Sequence, residues 1–143
     1  MIALDSNILV YAHRLDSPFN RPAFELMADL AGGPARWAIP WPCIHEFYSV
    51  VTNLRMRRDP TPPAAAWAQL DAWLAAPGVA LLGEARTHLD HLRALTVGAQ
   101  TVGGQVHDAR IAAICLSHGV SELITMDRDF SRFPQLRTRS LLG

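Results

Sequence analysis

Four acidic residues, Asp5, Glu46, Asp108 and Asp127, stand in four separated segments, each beside an apolar run. A carboxylate among core-building residues is costly to desolvate unless something cationic compensates it. Several of them in one crevice repel, and at least one is driven to keep its proton. A divalent cation removes that cost, and an all-oxygen donor set suits Mg²⁺ or Mn²⁺. Such an ion turns water into a nucleophile and stabilises charge on a leaving oxygen, which is what phosphodiester cleavage needs. Singly, each acid has an ordinary use: Asp5 as a helix cap, Glu46 and Asp108 as first-turn acids favoured by the helix dipole, Asp127 as a turn residue. The joint occurrence is what favours a metal site.

The elements that must carry these acids follow from apolar periodicity. Residues 1–4 read as a short buried strand, with Ser6 or Asn7 capping a helix over 8–14, so that Asp5 lies at the strand-to-helix step. A helix over 19–30, a strand over 37–39 and a helix over 42–57 follow, the last with Glu46 in its first turns. The run Asp59-Pro60-Thr61-Pro62-Pro63 breaks the chain before an Ala-rich helix over 64–76. Next come a strand over 79–82, a helix over 85–95, a loose 98–104 loop, a helix over 105–118 beginning near Asp108, and a strand over 123–126 that ends against Asp127. Residues 140–142 are read as a last edge strand. Short apolar strands alternating with helices predict an α/β fold, one domain over 1–143, with a mostly parallel sheet covered on both faces. Ligands of such sheets collect beyond the carboxyl ends of the strands, where Asp5 and Asp127 would be neighbours if their strands were adjacent.

Composition excludes much else. At 143 residues and 50% apolar content the chain has enough to build a core, and its formal net charge is zero. All 13 basic residues are arginine, which removes a P-loop lysine, a Schiff base and a lysine general base. Arginine binds phosphate bidentately. Arg128, Arg132, Arg137 and Arg139 cluster near the C-terminus with only Asp129 opposing them, and Arg55, Arg57 and Arg58 end the Glu46 helix. A polyanion could be held there beside an acidic pocket, or these could be ordinary solvated charges. Cys43 and Cys115 lack CxxC spacing and read as buried thiols of a reducing cytosol. His45 and His107 precede Glu46 and Asp108, but consecutive helical residues point about 100° apart, so both read as flanking residues. Trp37, Trp41, Trp67 and Trp73 read as core or interface residues before base-stacking ones. No secretion signal and no membrane span are expected, which implies a cytoplasmic protein.

Ile2-Ala3-Leu4-Asp5-Ser6-Asn7-Ile8-Leu9-Val10-Tyr11-Ala12, the Glu46 helix, His107-Asp108-Ala109-Arg110-Ile111-Ala112-Ala113 and Leu123-Ile124-Thr125-Met126-Asp127-Arg128-Asp129-Phe130 together resemble PIN domains, in order and spacing over nearly the whole chain. The resemblance is greatest to the VapC toxins of bacterial toxin–antitoxin pairs. It implies a three-layer α/β/α fold and a Mg²⁺-dependent endoribonuclease in which Asp5, Glu46, Asp108 and Asp127 hold the metal and metal-activated water attacks RNA. It further implies supporting roles for Ser6, Asn7 and Thr125, with Asp129 as an optional fifth ligand. Arg128, Arg132, Arg55 and Arg58 are the expected RNA contacts, and a VapB-type antitoxin and a second copy of the chain are the expected partners. Two alternatives remain on sequence alone: a phosphatase or phosphoryl-transfer enzyme with an aspartyl nucleophile, and a non-catalytic RNA- or partner-binding module.

Overall fold

Short apolar runs become the strands of one sheet: Ile2–Leu4 (β1), Trp37–Pro40 (β2), Val79–Leu82 (β3), Glu122–Ile124 (β4) and Thr138–Arg139 (β5). The computed structural model describes residues 1–55 and 58–143. The strand order is β3-β2-β1-β4-β5, and every pairing is parallel. Ala3, Leu4, Trp37, Ala38, Ile39, Leu123 and Ile124 are all fully buried. A parallel sheet covered on both faces demands such unbroken apolar strands.

The cover consists of helices Ser6–His13 (α1), Asn20–Gly32 (α2), Trp41–Thr52 (α3), Pro63–Leu74 (α4), His88–Gly98 (α5) and Val106–Ser117 (α6). From β1 the chain steps through β2 to β3 in one direction, then returns across the sheet to β4. Right-handed crossovers therefore place α1 to α4 on one face and α5 with α6 on the other. The helix contacts agree, with α1 against α2 and α3, α3 against α4, and α5 against α6. The direction of winding changes between β1 and β4, whose register pairs Leu4 with Ile124. That change leaves a crevice beyond the strand ends, at the residues that follow Leu4 and Ile124.

Several elements end elsewhere than the periodicity predicts. The α1 cap is Asp5, whose side chain accepts from the Ser6 N–H, and neither Ser6 nor Asn7 fills that place. Helix α3 stops at Thr52, short of Arg57, which lies outside the described residues. The cause is tertiary: the Thr61 N–H takes the Val51 carbonyl at 2.7 Å, a bond that residue 55 would make in a continued helix, and Asn53 turns the chain by accepting from the Arg55 N–H. Buried Arg14 holds the same return segment by donating to the Asp59 carbonyl while paired with Asp16 at 2.7 Å. The last strand is Thr138–Arg139, because the β4 amides of Leu123 and the following Thr125 reach the carbonyls of Arg137 and Arg139. Residues 140–143 instead form a turn closed on Ser140.

Phe47 is fully buried where α3 meets its neighbours, with ring edges against His13 at 5.5 Å and Trp73 at 5.3 Å. Phe47→Ala is expected to cost about 3–5 kcal/mol, read as a lower urea midpoint with an unchanged slope.

Candidate active site

Asp5 lies at the crevice floor and is 4% exposed. Both its oxygens are held. Oδ1 accepts from the Ser6 amide at 2.8 Å and from the Cys43 thiol at 3.6 Å, and Oδ2 accepts from the Thr125 hydroxyl at 2.7 Å and from Asn7 Nδ2 at 3.2 Å. Thr125 Oγ1 also accepts from the Asp127 amide at 3.0 Å, and Asn7 Oδ1 accepts from the Met126 amide at 3.2 Å. The two strand ends at the change of winding are thus tied side chain to side chain. Burial pushes the Asp5 carboxyl above its ordinary range, against the opposing pull of the Thr125 and Ser6 hydrogen bonds.

Above this floor, Asp108, Asp127 and Asp129 place one carboxylate oxygen each within 4.8 Å of one another, the one such group of metal-capable side chains found among the described residues. Asp108 comes from the first turn of α6, and Asp127 and Asp129 from the turn after β4. Asp127 caps that turn through the Asp129 amide at 2.8 Å, which brings the two acids together. The Asp108 carboxyl is pushed up to about 6, first by desolvation and then by the charges of Asp127, Asp5, Asp129 and Glu46. Asp108 therefore senses the other four acids. Glu46 is exposed on α3 and forms a wall shared by a cleft with Ser6 and Asn7 and a cleft with His107. The donor set is carboxylate oxygen throughout, partly shielded from water and repelling itself, and it fits a hard divalent cation.

The arginines divide. Arg128 lines a cleft with Thr125, Asp127 and Thr138 beside the acids, and Arg132 pairs with Asp129 at 3.9 Å. Arg137 and Arg139 do not add free charge to this patch, because Glu122 pairs with them at 3.6 Å and 2.8 Å. The expectation that Asp129 alone opposes the cluster overlooked Glu122, which is distant in sequence but adjacent across the β4–β5 pairing. Arg58 lines a cleft with His13 and Arg14 at the C-terminal end of α1, a helix length of about 12 Å from the Asp5 cap. Arg55 is exposed beyond the end of α3.

Sequence reasoning missed Cys43 as a contact of the site. The thiol is buried and uncharged, its pKa driven well up by burial and by Asp5, and it donates to Asp5 from the first turn of α3. Its place three residues before Glu46 on the same helix was the available signal, since residues at that spacing share a face. Trp37 and Trp73 are buried as core residues, whereas Trp41 and Trp67 are exposed.

A family model described as PIN domain matches residues 2–136. The chain is 36% identical over 139 residues to ribonuclease VapC43 of Mycobacterium tuberculosis, covering 97% of this chain and 94% of that protein. It is 30% identical over 137 residues to ribonuclease VapC37 of the same organism, covering 96% and 94%. The chain belongs to the PIN-domain family, among the VapC ribonucleases. Of solved structures, a chain of VapBC2 from Rickettsia felis, bound to a DNA fragment from their promoter, superposes with a TM-score of 0.73 at 19% identity over 98% of both chains. VapC20 of M. tuberculosis, a sarcin–ricin loop cleaving toxin, gives 0.66 at 16% identity over 92% and 93%. At those identities the likeness bears on the fold, which is the expected α/β arrangement with an all-parallel sheet.

Asp108 titrates near 6 in the folded protein and near 3.8 when unfolded, so its charge works against the metal-free fold. That destabilisation is absent below about pH 4, where both states are protonated, and complete above about pH 6. Asp108→Asn is expected to raise the melting temperature by about 2–5 °C at pH 8 without divalent cations, with the gain fading towards pH 4. Thermal scans across pH check this, and saturating Mg²⁺ is expected to reverse the order of the two proteins at pH 8.

Proposed function

We propose that this chain is a divalent-cation-dependent endoribonuclease and the toxin member of a toxin–antitoxin pair. The observation that carries the proposal is the Asp108, Asp127 and Asp129 cluster, seated over buried Asp5 at the switch point of a sheet whose relatives are ribonucleases. Asp5, Asp108 and Asp127 would hold the cation, with Glu46 at the rim and Asp129 able to join, and Mg²⁺ is the ion favoured, with Mn²⁺ an equivalent donor match. When bound, the ion supplies acidified water and charge stabilisation at the leaving oxygen.

The chain's own residues do the rest. Thr125, Ser6 and Asn7 fix the Asp5 carboxylate so that its orientation survives the exchange of cations and substrate. Arg128 stands beside Asp127 and offers a cation to a neighbouring phosphate of the RNA. Arg132, paired with Asp129, competes with the cation for that carboxylate. The aspartyl-nucleophile alternative is weakened by the same geometry. A carboxylate that is 4% exposed and accepts hydrogen bonds on both oxygens is poorly placed to attack phosphorus.

Solved VapBC complexes are among the structural relatives, and one of them is bound to promoter DNA. We extend from them a VapB-type antitoxin as the partner of this chain, and from the RNA substrate a cytoplasmic place of action. No helix among the described residues is long and apolar enough to cross a membrane.

The proposal is tested by incubating end-labelled RNA with the purified protein. Cleavage is expected with Mg²⁺ or Mn²⁺, to be abolished by EDTA, and to fall at least about a hundredfold in Asp5→Asn and Asp108→Asn. Cutting that survives chelation and both substitutions would overturn it.

A further inference from the structure

A cleft of about 290 Å³ opens between the first turns of α3 and α6, lined by Pro42, His45, Ser49, His107 and Arg110 and bordered by Glu46. It adjoins the acids at Glu46, which is its wall, and Asp108 directly follows His107 in α6. Two of its polar groups are held in place. His45 Nδ1 lies 2.9 Å from the Trp41 carbonyl. A carbonyl only accepts, so Nδ1 carries the proton and Nε2 is the atom left for a ligand. Arg110 donates its Nε–H to Glu84 at 2.5 Å, which anchors the side chain and leaves the Nη groups outside that bond. The floor is apolar, with Ile111 at 2% exposure, and the indole of Trp41, 42% exposed, stands 6.2 Å from the His45 ring.

An apolar floor, two imidazoles able to donate or accept and one anchored guanidinium match a nucleotide with an unstacked base, and the exposed Trp41 indole stands behind one of the imidazoles. The volume is near the lower end for small-ligand clefts, about 300 Å³, and suits one nucleotide. We propose that this cleft binds the nucleotide of single-stranded RNA adjacent to the scissile phosphate, with His45 and His107 on the base edge and Arg110 on its phosphate. The assignment rests on the ribonuclease reading and adds to it a place where sequence preference is set.

The test is cleavage of a randomised single-stranded oligoribonucleotide pool in Mn²⁺ by the wild type, His45→Ala and His107→Ala, with sequencing of the cut ends. Both side chains are exposed, and unchanged melting temperatures verify folding. The wild type is expected to prefer certain bases at one position next to the cut. Each variant is expected to flatten that same position about fivefold or more and to raise KM about tenfold, with kcat within about threefold. An abasic ribonucleotide at that position is expected to slow the wild type and not the variants. A preference profile unchanged in both variants, or a loss spread over all positions, overturns the subsite. Unchanged cutting combined with weaker binding of the cognate protein partner assigns the cleft to that partner and also overturns it. A wild type that cuts no RNA overturns the ribonuclease reading and the subsite together.

Discussion

The Thr125 hydroxyl donates to Asp5 Oδ2 at 2.7 Å, and the rest of the site depends on that bond. It joins the ends of β1 and β4, which lie side by side because the sheet changes its direction of winding between them. One hydroxyl there serves three polar groups, since it also accepts from the Asp127 amide and from Asn7. An unpaired carboxylate so deep in the protein would be costly, and an unpaired backbone amide nearly as much so. Satisfying them together fixes where Asp127 leaves the sheet, and hence where Asp129 and Asp108 meet it.

The acids above that floor are arranged at the expense of the metal-free fold. Asp108 is driven up to about 6 by desolvation and by four neighbouring carboxylates, and no side-chain cation among the described residues is paired with it. Most of the nearby arginines are committed elsewhere, Arg132 to Asp129, Arg110 to Glu84, Arg137 and Arg139 to Glu122, and Arg128 lines the cleft beside Asp127. A site left with uncompensated negative charge is a site prepared for an external cation. Local rules of good packing are broken here and kept elsewhere, the usual mark of function in a fold.

Much of this was legible in the sequence because it is local. The β1 and β4 runs are short and mostly apolar, as buried parallel strands are, with Asp5 directly after β1 and Asp127 three residues beyond the end of β4. What was not legible depends on partners distant along the chain. The end of α3 is set by Thr61, whose N–H donates to the Val51 carbonyl in place of the amide of a further turn. The neutralisation of Arg137 and Arg139 needs Glu122 across the sheet. His45 and His107 were read as flanking residues on the argument that neighbours on one helix diverge by about 100°. That argument holds within a helix. Between two helices whose acids converge, the residues one place before each acid can converge as well, and here they line one cleft.

The central claim is that the carboxylates gathered over Asp5 form a divalent-cation site. Anomalous diffraction from crystals soaked in Mn²⁺ addresses it most directly. The account predicts a peak bonded to carboxylate oxygens of Asp108 and Asp127, lost in Asp108→Asn. Ordered Mn²⁺ elsewhere on the protein, with no peak at these acids at neutral pH, would contradict it.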